Sequence, residues 1–519
     1  MNISRKFFDY FAVSTLLLIA GLSFYLAPKL GDFSYSDAPR HALNGVFVLD
    51  FLKAFPIRLP MEYANAYYQH FPALTIGFYP PLVSLIMAGF YAIFGVSHET
   101  AQLCISTFMA GLGIGSYVLA RRTLNSLSAL AVAIFTIAAP IVNEWGSQVM
   151  LDIPASCFLV WTVIYFCKWL ETADRRSLLC AVAFLVAGLY TKQTIAFIAF
   201  PALVSILYRK QTSLVLNKFT GIVLVLTAIS LIPLAALTYV FGRVNMESVA
   251  GARADDLSLF SIKAWTYYLN CLPESIGWPM TVLGLTGIFY TIAMWRDIRK
   301  TAPDRLFFLL WLIVGYVFYS LIALRMPRNT IQIVFPLAYF SIWLINKLDQ
   351  LISQRYVSII SLTIALITAY IGIIDHDIQW VDGYQEAAQY SQQNTPNGTK
   401  IIFHGNRDGS FIYNMRVIGG ENAASIVRSD KLFLKLKIER ERGVKDLGVS
   451  ENDMVKLLHD QNIGLVVSQK DFWADLPSMS RFQKLLGNEN VFQKLKTITI
   501  HSNFKATDKE LDIYRLIDK

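Results

Sequence analysis

Two acidic residues lie at the boundaries of segments that have the character of membrane-spanning helices, Asp37 just beyond the end of the first segment and Asp152 directly before a later one. Asp37 lies in YSDAPRHALNG together with Arg40 and His41, and Asp152 lies in NEWGSQVMLDIPASCF together with Glu144. An acid followed by Ala-Pro or Ile-Pro is a common helix N-cap, so a capping role is one interpretation of each. Ionisable groups at a membrane boundary are costly and usually functional, and the two roles are compatible.

Cationic residues accompany these acids. Lys192 interrupts the apolar stretch GLYTKQTIAF, and Arg325 and Arg328 lie in ALRMPRNTIQIVFP between two apolar runs. Arginine can bind a phosphate or diphosphate through two parallel N–H bonds, which favours an anionic phosphate ligand here. A lysine that extends to the membrane interface and arginines that contact lipid headgroups are the alternatives.

Acids and phosphate-binding cations on one face predict the transfer of a group from a membrane-borne phosphate donor. A carboxylate would deprotonate an acceptor hydroxyl, and the cations would stabilise the departing phosphate. The sequence has no Walker loop, HExxH or CxxC motif, so it offers no motif that would bind a nucleotide or a catalytic zinc ion. A divalent cation held with the donor phosphate is left open, although Asp37 is a single acid between Ser36 and Ala38.

The elements that position these residues must be membrane helices. Of the 519 residues, 55% are hydrophobic and 16% are charged, and the mean hydropathy is +0.45, whereas soluble proteins average about 25% charged residues. A helix needs about 20 apolar residues to cross the hydrocarbon core. About eleven runs qualify, near 8–28, 100–120, 126–142, 154–170, 178–190, 193–208, 219–241, 277–295, 306–324, 330–346 and 356–374. Four of the five cysteines lie within or beside these runs, so no disulfide framework is predicted.

The orientation of the spans follows from the distribution of Lys and Arg. The cations concentrate in alternate connections, at 5–6, 121–122, 168–176, 209–218, 296–305 and 347–355. This pattern holds when the segment YPPLVSLIMAGFYAIFGVS, residues 79–97, stays in the outer leaflet, and it places the acids and Lys192, Arg325 and Arg328 on the outer face. The net charge of +9 is therefore explained by topology, and no nucleic-acid partner is expected.

The tail has a different composition. From about Gly383 it alternates helix-like and strand-like segments, which predicts a soluble α/β domain over 376–519 after a transmembrane domain over 1–375. Helices are predicted over GYQEAAQYSQQN, SENDMVKLLHDQ and SMSRFQKLLG, and strands over TKIIFHG, FIYNMRVI, IGLVVSQ, VFQKLKTITI and LDIYRLI. HGNRDGSF, between two of these strands, is predicted as a turn or as a contact for acceptor or substrate.

The N-terminal part, about residues 1–375, resembles the GT-C superfamily of polytopic glycosyltransferases. It is most similar to the bacterial protein O-mannosyltransferase-like and aminoarabinose-transferase-like enzymes, which use polyprenyl-phosphate sugars. Four features carry the resemblance in order: Asp37 in the first outer loop, which covers about residues 29–99; the YPPL segment (Tyr79, Pro80, Pro81, Leu82); Asp152 followed by Pro154; and Arg325 and Arg328 followed by Pro336. Together with the composition of the tail, this resemblance predicts a polytopic α-helical membrane protein, GT-C-like, with about eleven transmembrane helices and a C-terminal soluble α/β domain.

The resemblance also implies roles for individual residues. Asp37 corresponds to the catalytic carboxylate and Asp152 to the assisting one, while Lys192 and Arg328 correspond to phosphate contacts, with Arg325 and Tyr79 beside them. Many members have Asp-Glu where this chain has Asp37-Ala38, which weakens a metal role. Many also have Lys or His where this chain has Tyr79, so that phosphate contact would come from elsewhere, for example from His70 or His41. Arg40 and Glu144 are further candidates for acceptor or donor contacts.

The sequence thus predicts an inverting, membrane-embedded glycosyltransferase of the cell envelope. It would move a hexosyl or pentosyl group from a polyprenyl-phosphate donor to a glycan, lipid or protein acceptor, on the extracytoplasmic face of the cytoplasmic membrane. A transporter or lipid flippase is the alternative from another class, although the internal repeats typical of transporters are not found. An inactive relative that acts as a scaffold is a third hypothesis.

Overall fold

The computed structural model describes residues 2–56, 58–242, 258–259, 261–294, 303–436, 440 and 443–517. These residues form two compact units. The first unit comprises Met1–Ala27, Gly77–Val83 and Gln102–Ile378, and the second comprises Pro28–Ile76, Ser84–Ala101 and Gln379–Lys519. The division into domains at 375/376 stays a prediction, since the compact units group the segments before residue 102 differently.

The first unit is helical. Its α-helices are Asn2–Leu26, Ser126–Ala138, Pro140–Ser147, Asp152–Thr172, Arg175–Leu189, Ala199–Tyr208, Thr212–Val215, Lys218–Val240, Ile262–Ile276, Trp278–Ala293, Pro303–Ser320, Val334–Asn346 and Gln354–Tyr370. Short 3-10 helices cover Gln193–Ile198, Pro327–Ile333 and Lys347–Gln350, and a π-helical turn covers Ile371–Asp375. The helices Leu82–Phe94 and His98–Ala120 each continue from one unit into the other.

The polytopic character predicted from the sequence is confirmed. Within the described residues, seven helices are long and apolar enough to cross a membrane, or eight if the bent pair Ser126–Ala138 and Pro140–Ser147 is one span. The predicted number of eleven is not confirmed, because the helices at three of the predicted runs are too short: Arg175–Leu189 has 15 residues, and Gln193–Tyr208 and Trp278–Ala293 are apolar but also shorter than a span. The predicted cytoplasmic cations Arg296, Arg299 and Lys300 lie outside the described residues.

Local sequence signals begin and bend the membrane helices. The Asn125 side chain accepts a hydrogen bond from Ser128 N and so caps the helix Ser126–Ala138. A bend of 55° follows at Ala139, which has extended backbone as residues before proline usually do. Near the C-terminal end of the first unit, the Gly372 backbone approaches Ala138 so closely that a Cβ atom on residue 372 would clash with the Ala138 carbonyl. Asn143 Nδ2 then donates to Gly372 O at 2.9 Å and fixes this approach.

The second unit combines helices with small sheets. Its helices are Ala38–Ala54, Pro60–His70, Tyr384–Asn394, Asp408–Gly419, Ser429–Phe433, Glu451–Asp460 and Pro477–Leu485, with a 3-10 turn at Gly420–Asn422. Its strands are β1 (Val381–Asp382), β2 (Lys400–His404), β3 (Ile426–Arg428), β4 (Leu434–Leu436), β5 (Val444–Asp446), β6 (Ile463–Gln469), β7 (Phe492–Thr499), β8 (His501–Ser502) and β9 (Glu510–Leu516).

The main sheet has the strand order β3-β2-β6-β9-β7. β2 is parallel to β3 and β6, whereas β9 is antiparallel to β6 and β7. β6 is buried along its whole length, as expected for a central strand. β1 pairs with β8, and β4 pairs with β5, as short antiparallel ribbons.

Most secondary-structure predictions for the tail are confirmed, but the strand over FIYNMRVI is wrong. These residues belong to the helix Asp408–Gly419. The apolar and β-favouring residues suggested a strand, but tertiary contacts decide the conformation, because Ser410 and Asn414, one helical turn apart, both bond to Asp32. Part of HGNRDGSF also lies in this helix, which begins at Asp408.

Candidate functional site

An ion pair between Asp152 and Lys192 is the centre of the candidate site in the first unit. Lys192 Nζ lies 2.5 Å from Asp152 Oδ1. The Asp152 side chain is only 2% exposed, whereas the Lys192 side chain is 21% exposed. Two residues that the sequence predicts for one site are therefore in direct contact, and the cation is the more accessible of the two.

Backbone structure places both groups. Asp152 is the first residue of the helix Asp152–Thr172, where the positive end of the helix dipole favours a carboxylate. Lys192 follows the end of the helix Arg175–Leu189, and its backbone N–H donates to Gly188 O at 2.8 Å. Gly188 has to be small, because a Cβ atom there would collide with Ile195.

The segment that carries the predicted arginines is tied to Asp152. In the 3-10 helix Pro327–Ile333, Gln332 Nε2 donates to the Asp152 carbonyl at 3.3 Å. The Gln332 carbonyl in turn accepts from Trp311 Nε1 at 2.8 Å. Arg328 is half-buried, and its guanidinium lies 5.2 Å above the ring of Trp145. Arg325 Nη2 donates to the Ser320 carbonyl at 2.9 Å.

Tyr79 and Glu144 are the other predicted site residues of the first unit. Tyr79 is half-buried and packs edge-on against Phe78, with ring centroids 4.7 Å apart. The backbone N–H of Leu82, the last residue of the YPPL segment, donates to Tyr190 O. The YPPL segment is therefore in contact with Tyr190, which precedes Lys192 by two residues. Glu144 Oε2 lies 3.7 Å from His376 Nε2, and Glu144 is the neighbour in sequence of the Trp145 that stacks on Arg328.

Asp37 belongs to the second unit. It occupies the N-cap position of the helix Ala38–Ala54 and is half-buried, but its side chain makes no capping hydrogen bond. The residue is therefore placed as the capping interpretation predicts, without the bond that defines a cap.

The second unit also supplies partners for the predicted contacts Arg40 and His70. Arg40 donates to both carboxylate oxygens of Asp408, and Arg428 Nη1 lies 2.9 Å from the same carboxylate. Burial alone would raise the pKa of Asp408, but the charges of Arg40 and Arg428 outweigh it, and the pKa is lowered. His70 Nε2 lies 2.7 Å from Ala423 O, and burial lowers the pKa of its imidazole. His41 is buried in the same unit.

Two buried acids of the second unit, Asp32 and Asp50, are not among the residues predicted from the sequence. Asp50 is bound by Arg416 and by the Tyr67 hydroxyl, and Asp32 accepts hydrogen bonds from Tyr384 N, Ser410 and Asn414. A signal existed for Asp50, since it interrupts the apolar run VFVLDFL. No comparable signal marks Asp32. Desolvation raises its pKa to about 7, against the lowering effect of its hydrogen-bond donors.

The described side chains do not form a metal site of three or more His, Cys, Asp or Glu residues. In the first unit, the Asp152 carboxylate is bound instead by the Lys192 ammonium. Within the part of the chain that the structure describes, the donor set therefore does not fit a resident divalent cation.

A family model and several solved structures are similar to this chain. Residues 79–239 match the family model for dolichyl-phosphate-mannose-protein mannosyltransferases. No curated protein matches the chain in sequence.

Three solved structures are similar over nearly the whole chain. ArnT from Cupriavidus metallidurans bound to undecaprenyl phosphate is 13% identical, with a TM-score of 0.64, and 97% of each chain is covered. The apo state of the same protein is 12% identical with a TM-score of 0.61 and the same coverage. The apo oligosaccharyltransferase of Archaeoglobus fulgidus is 12% identical with a TM-score of 0.60, and the match covers 98% of this chain and 76% of that one. At these identities the likeness shows the fold, and the predicted resemblance to GT-C enzymes is confirmed at that level.

Proposed function

We propose that this chain, a polytopic membrane protein with the GT-C glycosyltransferase fold, transfers a sugar from a polyprenyl-phosphate donor to an acceptor hydroxyl. The observation that carries the proposal is the buried Asp152 paired with the more exposed Lys192 beside the arginine-bearing segment. Support for the donor class comes from the similar fold of ArnT, which was solved with undecaprenyl phosphate. The family model for residues 79–239 supports sugar transfer.

In the proposed reaction, Asp37 accepts the proton of the acceptor hydroxyl while the oxygen attacks the anomeric carbon. The bond between that carbon and the phosphate oxygen breaks, so the sugar is inverted and the polyprenyl phosphate leaves with the bonding electrons. Lys192 and Arg328 stabilise the negative charge that grows on this phosphate, with Arg325 and Tyr79 as further donor contacts. Asp152 holds the Lys192 ammonium in place until the phosphate binds.

The proposed topology puts the acids and the C-terminal domain on the extracytoplasmic side of the cytoplasmic membrane. It rests on the distribution of Lys and Arg among the connections in the sequence. The acceptor on that side would be a glycan, a lipid or a protein, because each can present a hydroxyl to the same base.

The decisive experiment is transfer of radiolabelled sugar from polyprenyl-phosphate donors by the purified full-length chain in liposomes. We expect Asp37→Asn to lower kcat by about 100-fold or more, because a general base typically contributes 100-fold to 10,000-fold. Glu62→Gln is the matched control, since Glu62 is an exposed acid of the same loop. Repeating both with a chelator separates a carboxylate base from a metal-assisted reaction, and the anomeric configuration of the product tests inversion.

Two results would contradict the proposal. Equal transfer by the wild type and by Asp37→Asn would remove Asp37 from the reaction. If the wild type binds polyprenyl phosphate but transfers no sugar with any donor, the transporter hypothesis takes precedence.

A further inference from the structure

The helix that Asp37 precedes is held by a single helix of the C-terminal segment. Arg40, in the first turn of the helix Ala38–Ala54, binds Asp408, and Asp50, near the other end, binds Arg416. Both partners belong to the helix Asp408–Gly419. Because the residue numbers increase together, the two helices run in the same direction, with an ion pair near each end.

The spacing of the two pairs fits this arrangement. Ten residues separate Arg40 from Asp50, and eight separate Asp408 from Arg416, which correspond to rises of about 15 Å and about 12 Å. A shift of one helical turn, about 5.4 Å, would break both pairs at once. The pair Asp50–Arg416 is buried and the pair Arg40–Asp408 is partly buried. Such pairs contribute little net stability but can fix register, and two of them at opposite ends fix it strongly.

Close packing reinforces the register at the end nearest Asp37. A Cβ atom at Gly409 would lie 2.8 Å from Pro39 Cγ and 3.2 Å from Arg40 Nη1. Pro39 is a rigid ring in the first turn of its helix, so the two backbones can approach this closely only because residue 409 is glycine.

A third anchor lies on the other side of Asp37 in sequence. Asp32 accepts hydrogen bonds from the backbone N–H groups of Tyr384 and Gln385, at 2.7 and 3.2 Å, and thereby caps the helix Tyr384–Asn394. Asn414, on the helix Asp408–Gly419, donates to the same carboxylate at 2.6 Å. Asp37 therefore lies between two points, Asp32 and Arg40, that are each fixed to the C-terminal segment.

We propose that the helix Asp408–Gly419 positions the Asp37 carboxylate for the reaction, with Asp408, Gly409 and Arg416 as positioning residues. This inference rests on the proposed function of Asp37. It assigns the C-terminal domain a role in the chemical step that requires no contact with substrate. A displacement of about 1 Å at a reacting group can lower a rate about 100-fold.

Gly409→Ala tests the proposal by inserting one methyl group against Pro39. We expect kcat to fall about tenfold to 100-fold, with the KM for the polyprenyl-phosphate donor changed less than about twofold, because Lys192 and Arg328 are untouched. Gly89→Ala is the matched control, since Gly89 is a helical glycine of the same unit with no atom near its Cβ position. Hydrogen exchange of residues 38–48 should accelerate in Gly409→Ala and stay unchanged in Gly89→Ala.

Asp408→Asn provides a second variant, which removes the charge that holds Arg40 without adding volume. It should lower kcat and leave the donor KM unchanged, as Gly409→Ala does. If both variants retain the kcat of Gly89→Ala while Asp37→Asn is inactive, the positioning role is overturned and the proposed function stands. If Asp37→Asn is as active as the wild type, the base assignment fails, and exchange of residues 38–48 still reports whether the two helices are coupled.

Discussion

The ion pair Asp152–Lys192 in the first unit and the ion pair Asp50–Arg416 in the second unit have the same charges but different construction. Lys192 offers a compact ammonium on a flexible chain and is 21% exposed. Arg416 is 9% exposed and binds both oxygens of Asp50 through three hydrogen bonds, at 2.6 to 3.1 Å, while Tyr67 OH donates to the same carboxylate at 2.9 Å.

The difference suits the two pairs to different roles. Asp152–Lys192, the exchanging pair, can release its lysine to another anion, whereas Asp50–Arg416, the holding pair, keeps two helices together. A partly exposed lysine can leave its carboxylate for an incoming phosphate at little cost in geometry. A buried, bidentate arginine would leave an uncompensated charge if it moved, so its pair keeps two helices in register. The first pair is consistent with a binding role and the second with a structural one.

The largest expected effect comes from breaking the holding pair. Arg416→Met leaves Asp50 buried without its cation and should lower the free energy of unfolding of the second unit by about 3–5 kcal/mol. Thermal and denaturant unfolding of the full-length protein in detergent measures this. The double variant Asp50→Asn/Arg416→Met should recover part of the loss, because no charge is then left unpaired; equal stability of all three proteins would contradict the assignment.

The buried carboxyl of Asp32 should make the stability of the second unit depend on pH. Its folded pKa of about 7 exceeds the ordinary value of 3.8 because of desolvation, so the folded state binds the proton more tightly than the unfolded state. The contribution to stability is complete below about pH 3.8 and is lost as the pH rises to about 7, by up to about 4 kcal/mol. In the wild type the unfolding midpoint should therefore fall as the pH rises through this range, and in Asp32→Asn this part of the pH dependence should be absent. A parallel pH profile for the variant and the wild type would argue against the raised pKa.

Substitutions in the exchanging pair, Asp152–Lys192, should change activity more than stability. Lys192→Met keeps the length of the side chain but removes the ammonium, and should lower transfer by about 100-fold, as loss of a group that stabilises a transition-state anion does. Lys192→Arg, which keeps the charge, should retain more activity. Binding of polyprenyl phosphate, measured separately, should weaken in Lys192→Met, and an unchanged affinity together with full activity would make this lysine a structural partner of Asp152.

The smallest effect belongs to an exposed pair. Lys496 Nζ lies 2.7 Å from Glu386 Oε1, but the side chains are 38% and 58% exposed. Lys496→Ala should change the free energy of unfolding by less than about 1 kcal/mol, because exposed ion pairs contribute little. A loss as large as that of Arg416→Met would show that burial does not distinguish the pairs.

Several features of the site follow from the sequence because they are local. The acids before Ala-Pro and Ile-Pro predict helix starts, and Asp37 and Asp152 do stand at the starts of helices. Asp152 and Lys192 are both predicted as site residues, and their side chains are in direct contact although 40 positions separate them in sequence. The phosphate and catalytic roles of these residues stay predictions.

Other features could not be read from the sequence because they depend on distant partners. Asp50 and Arg416 are 366 positions apart, and no periodic pattern records their contact. The segment FIYNMRVI was predicted as a strand because its residues favour one, whereas bonds from Ser410 and Asn414 to Asp32 stabilise it as a helix.

Composition and local spacing are enough to predict that the chain crosses a membrane many times, that its tail alternates helices and strands, and where charged residues stand at helix ends. These properties depend on composition and on spacings of a few residues, which fix local structure. The tertiary structure decided that residues 28–76 form one compact unit with the tail, and that Arg40 binds Asp408 there. Such pairings follow from the folding of the whole chain, because buried charges must find partners wherever the backbone brings them together.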